Sequence, residues 1–192
     1  MNIKMLYGLA KFAASSEKHR YYLCSVCLDT DKDGKTIAVA TDGHKLLAAN
    51  MGDCGLEEGQ HIIPRDFLLS LKITTRTPDD GALLINDGKV FITYEITTIS
   101  APCVDGKFPE WRRVMPKSGY EIEPAKYNPK YIMDMENFGK LVSGMSSSGL
   151  SEISPGGNNP AFVRFDANPE VIGVLMPMRA NFNTTGPDWI CL

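Results

Sequence analysis

The stretch ALLINDGKVFITYEI, residues 82–96, reads as a β-hairpin. Ala82 to Ile85 form one strand and Lys89 to Ile96 the other, joined by Asn86-Asp87-Gly88, the residue types that accept the positive φ of a tight hairpin turn. Val90, Ile92, Tyr94 and Ile96 fall on one face. The apolar set then skips to Ile99, which places a β-bulge near Thr97. The same grammar recurs outward from this point. Leu23 to Leu28 reads as a strand, Asp31-Lys32-Asp33-Gly34 as a turn, and Thr36 to Asn50 as the strand region that follows. His61 to Ile63 is a short strand, and Pro64 opens a short helix over residues 65–72. Upstream, Ile3, Leu6, Tyr7, Ala10, Ala13 and Ala14 follow helical spacing over residues 3–14, with Lys4, Lys11 and Lys18 at seven-residue intervals; Lys4 and Lys11 share a solvated face. Downstream, Asn128 caps and Pro129 starts a third helix, with Tyr131, Met135, Phe138 and Val142 as its apolar stripe. Residues 143–160, rich in Ser, Gly, Pro and Asn, read as a mobile loop with at most one short strand. Ala161 to Phe165 and Val171 to Met176 are strands flanking an Asn168-Pro169 turn, and 105–116 is a turn-rich linker. The expected class is α+β, built from repeated units of one helix on a small antiparallel sheet.

Composition narrows the function classes. The chain has 192 residues, 43% apolar and 22% charged, and a net charge of −3. It can bury a core, lacks the basic coat of a histone-like protein, and has no apolar run long enough to span a bilayer. The N-terminus does not read as a signal peptide, and five cysteines without a secretory signal read as reduced thiols, which places the protein in the cytoplasm. Cys24-x-x-Cys27 stands alone, with neither a second pair nor a histidine pair to complete a zinc site, and in a strand the two thiols face opposite sides. The run from Asp29 through Asp31, Asp33 and Gly34 imitates the start of a calcium loop. Its twelfth position is Ala40 where a bidentate Glu is needed, so the hairpin turn is retained. No phosphate loop, dinucleotide fingerprint or HExxH is present. Asp42 and His44 around Gly43 are conceivable as an acid–base pair but read better as structural groups at a strand-to-turn junction. No catalytic residue, metal or cofactor is expected, and nothing positive points to an enzyme.

Five segments in order carry a specific resemblance: RYYL at 20–23, ATDGHKL at 40–46, DGKFPEWRRVMP at 105–116, YNPKY at 127–131 and VLMPMR at 174–179. Together they resemble the bacterial DNA polymerase III beta sliding clamp. Residues 1–116 resemble its middle domain from the first helix onward, without the strand that normally precedes that helix. Residues 117–192 resemble the second half of its last domain. The resemblance implies the DNA-clamp fold in a shortened clamp, for which a phage or mobile element is the expected source.

It also implies a pocket for the short Gln-, Leu- and Phe-rich peptides of polymerases and the clamp loader. The matching positions are Leu23, Thr41, Gly43, His44, Leu46, Pro109, Arg113, Val114, Asn128, Tyr131, Val174, Leu175, Met176, Pro177, Met178 and Arg179. A groove of Leu, Val, Pro and Met is apolar and adaptable. Met176 and Met178 could equally finish a core strand; alternation lets both readings hold, and the neighbouring motifs favour the pocket. Double-stranded DNA, contacted without base reading, is expected against Lys4, Lys11, Lys18, Arg20, Arg65, Lys72, Lys130 and Lys140, with Tyr21 and Tyr22 as an aromatic pair. One chain cannot encircle a duplex, so a ring requires a homo-oligomer of about four copies, with the tail 181–192 as a replacement strand. The alternative is a non-encircling adaptor or decoy that binds clamp-binding peptides and competes with a host clamp. No membrane partner is expected.

Overall fold

The computed structural model describes residues 1–117, 119–145, 149 and 152–179, apart from the side chain of Lys18. Of the loop expected over 143–160, residues 146–148 and 150–151 lie outside the described residues, as does the tail 181–192; the rest is not all loop, since residues 152–156 and 159–160 belong to two paired strands. Three helix-then-three-strand units follow one another. The first is α1 (Ile3–Phe12), β1 (Ser25–Thr30), β2 (Lys35–Thr41) and β3 (Lys45–Asp53). A connecting strand β4 (Gly59–Pro64) leads to α2 (Arg65–Leu69), β5 (Ala82–Asn86), β6 (Lys89–Tyr94) and β7 (Thr97–Pro102). The third is α3 (Pro129–Ser143), β8 (Glu152–Gly156), β9 (Asn159–Arg164) and β10 (Val171–Leu175). No described helix is long and apolar enough to cross a membrane.

The sheets do not stay within units. Strand order is β4-β1-β2-β3-β10-β9-β8 in a seven-stranded sheet and β5-β6-β7 in a three-stranded one. All pairings between the strands named above are antiparallel, and the first and third units meet through β3 and β10, with register running from Val171 opposite Ala49 to Leu175 opposite Lys45. The Asn50 amide N–H donates to the Glu170 carbonyl at 2.8 Å and closes one end of that ladder. Period-two alternation sorts side chains onto two faces. Val26, Leu28, Ala38, Ala40, Leu47, Ala49 and Leu175 join the helices in the main core, whereas Cys27, Val39, Leu46, Ala48 and Val174 form a second cluster on the opposite face.

Helix α1 departs from the amphipathic expectation. Asn2 caps it by accepting from the Met5 amide at 3.0 Å, and every residue from Ile3 to Ala10 is buried. It lies in the middle of the helical layer, packed by both α2 and α3. Lys4 is therefore not on a solvated face: its ammonium donates to the Thr75 carbonyl at 3.0 Å and pairs with Asp79 at 2.8 Å. Gly8 permits the approach of α3, because a Cβ there would sit 2.8 Å from the Phe138 ring.

Four further expectations change. The 82–96 hairpin forms with its Asp87-Gly88 turn at positive φ, but no bulge follows. Glu95 at φ 52° makes a second two-residue turn, and β7 pairs back on β6. Residues 35–53 are two strands, not one region, split by the Asp42–His44 turn. Cys24 follows a 3₁₀ segment (Lys18–Leu23), so only Cys27 of the pair lies in a strand. Residues 105–116 are not a mere linker. Phe108 and Trp111 are buried against the second face of the large sheet. The Trp111 indole N–H donates to Asp29 at 2.9 Å, and the Arg112 guanidinium binds the same carboxylate. Asp29, which the calcium-like spacing singled out, is thus the anchor of a strap.

Replacing Gly8 by Leu should force α1 and α3 apart and cost about 3 kcal/mol through overpacking, measured by urea denaturation; a loss under about 0.5 kcal/mol would show that the helix contact is slack.

Candidate protein-binding groove and cationic face

The groove is built around the turn between β2 and β3. Gly43 takes φ +90°, a conformation glycine adopts without strain. The Asp42 carboxylate accepts from the His44 and Lys45 amides at 2.9 and 3.0 Å, and the Thr41 hydroxyl donates to the Lys45 carbonyl at 2.7 Å. Lys45, only 7% exposed, then reaches across the unit junction. Its ammonium lies 2.6 Å from Asp42, 3.0 Å from Asp134 on α3, and 4.7 Å from the centre of the Tyr131 ring. Burial alone would lower the ammonium pKa, but hydrogen bonds and charge from Asp42 and Asp134 outweigh it and hold the pKa above its ordinary value. The His44 ring stacks on Tyr131 at 5.7 Å, with planes 10° apart.

Beside this clasp lies a cleft of about 240 Å³. Leu23, Leu46 and Val174 supply its apolar floor, Thr41 and Gly43 the turn side, and Pro109, Glu110, Trp111 and Val114 the strap side. Eight expected peptide-binding positions therefore converge: Leu23, Thr41, Gly43, Leu46, Pro109, Val114, Val174 and Met176. Met176, 36% exposed, sits at the rim, positioned by its amide donating to the His44 carbonyl at 2.9 Å.

The remaining expected positions go elsewhere. Leu175 alternates to the other face and is fully buried in the main core, so its side chain is not part of the cleft. Asn128 caps α3 by accepting from the Lys130 amide at 3.0 Å. Arg113, Met178 and Arg179 are exposed beyond the cleft, and Pro177 is half-buried. His44 and Tyr131 line an adjoining polar hollow of about 360 Å³, together with Lys11, Arg65, Lys130 and Asp134. Tyr22, expected at DNA, instead lines the apolar cleft, while Tyr21 packs edge-on against it and stays exposed.

Lys45, Glu110 and Trp111 were not among the expected site residues. The signal was present, because Lys45 sits inside ATDGHKL and Glu110 and Trp111 inside DGKFPEWRRVMP. What the sequence did not show is that Lys45 crosses to α3 and that Trp111 folds back onto Asp29.

The cationic face is thinner than the sequence count. Lys11, Lys72 and Lys130 are exposed, as is Arg76, which the sequence reading passed over. Arg20 lies 3.6 Å from Glu17 and donates to the Asp42 carbonyl at 3.4 Å. Arg65 donates to the Ala10 carbonyl at 3.1 Å and pairs with Asp66, and Lys140 pairs with Glu136 at 3.0 Å. Lys4 is buried, as described above.

A layer of helices backed by antiparallel sheets, with an apolar cleft at a unit junction, defines a clamp-type module. A family model described as DNA polymerase III beta subunit, central domain, matches residues 2–110, and the chain belongs to that family. The Beta sliding clamp of Pseudomonas putida is 31% identical over 123 residues, covering 62% of this chain and 33% of that protein. The Beta sliding clamp of Vibrio cholerae is 26% identical over 193 residues, covering 95% of this chain and 51% of that protein. The chain thus spans about a third to a half of the length of these relatives. Among solved structures, DNA polymerase III subunit beta from Borrelia burgdorferi, in complex with a natural product, superposes with a TM-score of 0.73 at 14% identity, over 94% of this chain and 62% of that one. Caulobacter crescentus pol III beta gives 0.69 at 21% identity, over 94% and 65%. These likenesses show the shared fold.

Two outcomes follow from the clasp and the second face. Lys45→Met leaves two carboxylates facing each other at the junction and should cost about 2–3 kcal/mol, read by urea denaturation at pH 7; an unchanged midpoint would remove the clasp. Because a raised lysine pKa stabilises below the unfolded value, this contribution is constant across neutral pH and fades only in strong alkali. Burial, then the nearby Asp29 carboxylate, pushes the Cys27 thiol up to about 12. Cys27 should resist thiol reagents at pH 8 in the folded protein and react on unfolding, and rapid native labelling at Cys27 would contradict its placement.

Proposed function

We propose that this chain is a non-catalytic, cytoplasmic clamp-type tether. It holds a short Leu- or Phe-bearing peptide of a polymerase or clamp loader in the apolar cleft and lies with its helical side against duplex DNA. In domain terms it pairs a clamp domain over residues 1–116 with a half domain over 117–192. The observation that carries the reading is the cleft itself: four separate segments, each belonging to a clamp-like motif, converge on one apolar hollow with a tight turn at its edge. Leu46 and Val174 form the floor, and Met176 and Val114 sit at the rim, where their side chains can adjust to an entering apolar group.

Encirclement by about four copies remains part of this proposal. The non-encircling reading, an adaptor or decoy, is favoured by one observation: Arg65 and Lys140 are spent on internal ion pairs and Lys4 is buried, so few cations are free for phosphates. The two readings separate on DNA. A ring is retained on closed circles and lost from linear duplex, whereas an adaptor binds the peptide and leaves both.

The cleft makes a sharp prediction. Met176→Asp places a carboxylate at an apolar rim and should weaken a Leu/Phe peptide by about 30-fold or more, measured by fluorescence anisotropy. Met178→Asp, outside the cleft, should change affinity less than about threefold. Equal losses, or none, would dissociate the peptide from this cleft.

A further inference from the structure

The second face of the seven-stranded sheet is only partly covered. The strap lies over its β4–β1 side, where the Phe108 amide donates to the Gln60 side chain at 3.1 Å and Trp111 reaches Asp29. Toward β10 the face opens into another hollow, of about 520 Å³, more than twice the cleft. The cleft lies at the level of the β3–β10 ladder where Leu46 faces Val174, and this hollow lies two residues along, where Ala48 faces Ile172. Trp111 lines both and is the wall between them.

The floor of the hollow follows from alternation, which turns Ile37, Ala48 and Ile172 of neighbouring strands to this face. Ala48 offers only a methyl between two isoleucines, and that is the recess. Ile37, Met115 and Ile172 are each only half-buried, so a large apolar side chain entering the recess removes them from water. Met115 can shift to suit its shape. The rim supplies charge. Arg164 faces Ile172 across the ladder, but its guanidinium lies 5.7 Å from the centre of the Phe162 ring and so leans toward the cleft end of β9. Glu170 stands at the other end, beside Asp166. The Asn50 side-chain amide donates to its carboxylate at 2.6 Å and fixes it on the sheet, and no cation pairs with it among the described residues. A positioned carboxylate with no internal counter-charge, at the edge of an apolar recess, complements an apolar group with a cation next to it.

We infer that this hollow is a second protein-docking site: it takes a short partner segment whose Phe, Leu or Met side chain enters the recess over Ala48 while an adjoining Lys or Arg meets Glu170. Its charge preference sets it apart from the apolar cleft. The two hollows share Trp111 alone among their lining residues, so each can be filled with the other empty. The assignment therefore holds whether or not the cleft takes a polymerase or loader peptide.

The test uses the full chain, with acetyl-Phe-Lys-amide, acetyl-Phe-Gln-amide and acetyl-Phe-Glu-amide as probes and the methyl NMR shifts of Ile37, Ala48 and Ile172 as readout. Saturable shifts are expected at these methyls, with the lysine probe bound about threefold more tightly than the glutamine probe and the glutamate probe weakest. Glu170→Gln keeps an acceptor for Asn50 and should abolish the preference for lysine while the shifts persist. Ala48→Phe fills the recess and should remove the shifts. If that variant fails to fold, Ala48→Met should weaken binding about fivefold or more. No saturable shift, shifts confined to Val174 and Met176 of the cleft, equal affinity for all three probes, a lysine preference that survives in Glu170→Gln, or undiminished binding by a folded Ala48 variant would overturn the assignment. Occupation of the cleft is read apart from this, at the methyls of Val174 and Met176.

Discussion

The junction between β3 and β10 is the constraint on which the rest of the structure depends. It joins strands whose contacting residues, such as Asn50 and Glu170, are 120 positions apart. The length-dependent part of closing such a loop is about 4 kcal/mol. Three things offset it. A ladder from Lys45 to Ala49 pairs with Val171 to Leu175, α3 packs on α1 over Gly8, and Lys45 bridges Asp42 to Asp134. The first two are the ordinary means of joining units, sheet continuity and apolar burial. The third adds specificity, since a lysine 7% exposed can stay charged only where two carboxylates meet it. Without the junction the seven-stranded sheet divides, Val163, Phe165 and Leu175 lose the shared core, and the cleft loses its floor.

Local chemistry was legible wherever the local residues decide the outcome. The Asp87-Gly88 turn, the Asn128 cap and the Asp31–Gly34 hairpin all formed as read, because each depends on residue types within a few positions. The Glu95-Ile96 turn was missed for the same reason. Neither residue advertises positive φ, and the pairing of β7 on β6 imposes it on Glu95. The burial of Lys4 depends on Thr75 and Asp79, more than seventy positions away, and heptad spacing cannot report that. The strap is a similar case, since Trp111 finds Asp29 at a separation of 82 residues.

The cleft was half legible on the same principle. Motif order brought eight of its positions together in the sequence reading, and strand alternation then divided the 174–178 run. Val174 and Met176 turn to the cleft, and Leu175 turns to the core. That division follows from a period of two once the strand is fixed in register, and register is set by pairing with β3 rather than by the run itself. Residues expected for two separate ligands also proved to be neighbours. Lys11, Arg65 and Lys130 share the polar hollow with His44 and Tyr131, immediately across Lys45 from the apolar cleft.

That adjacency has a thermodynamic consequence. The cleft takes Leu46 from the first unit, Val174 and Met176 from the third, and Trp111 from the strap, so it exists only when the junction is closed. A ligand touching both sides binds the closed form and not the open one, and therefore stabilises the junction by the full free energy of that preference. The reverse holds by the same linkage: whatever tightens the junction, including the contact of Lys45 with Asp134, raises affinity in the cleft up to the point where the closed form is saturated. Lys45 lines both hollows, with its ammonium among the carboxylates and its backbone fixing the turn beside Gly43. The residue that joins the units is thus the one through which occupation of one hollow can be felt in the other.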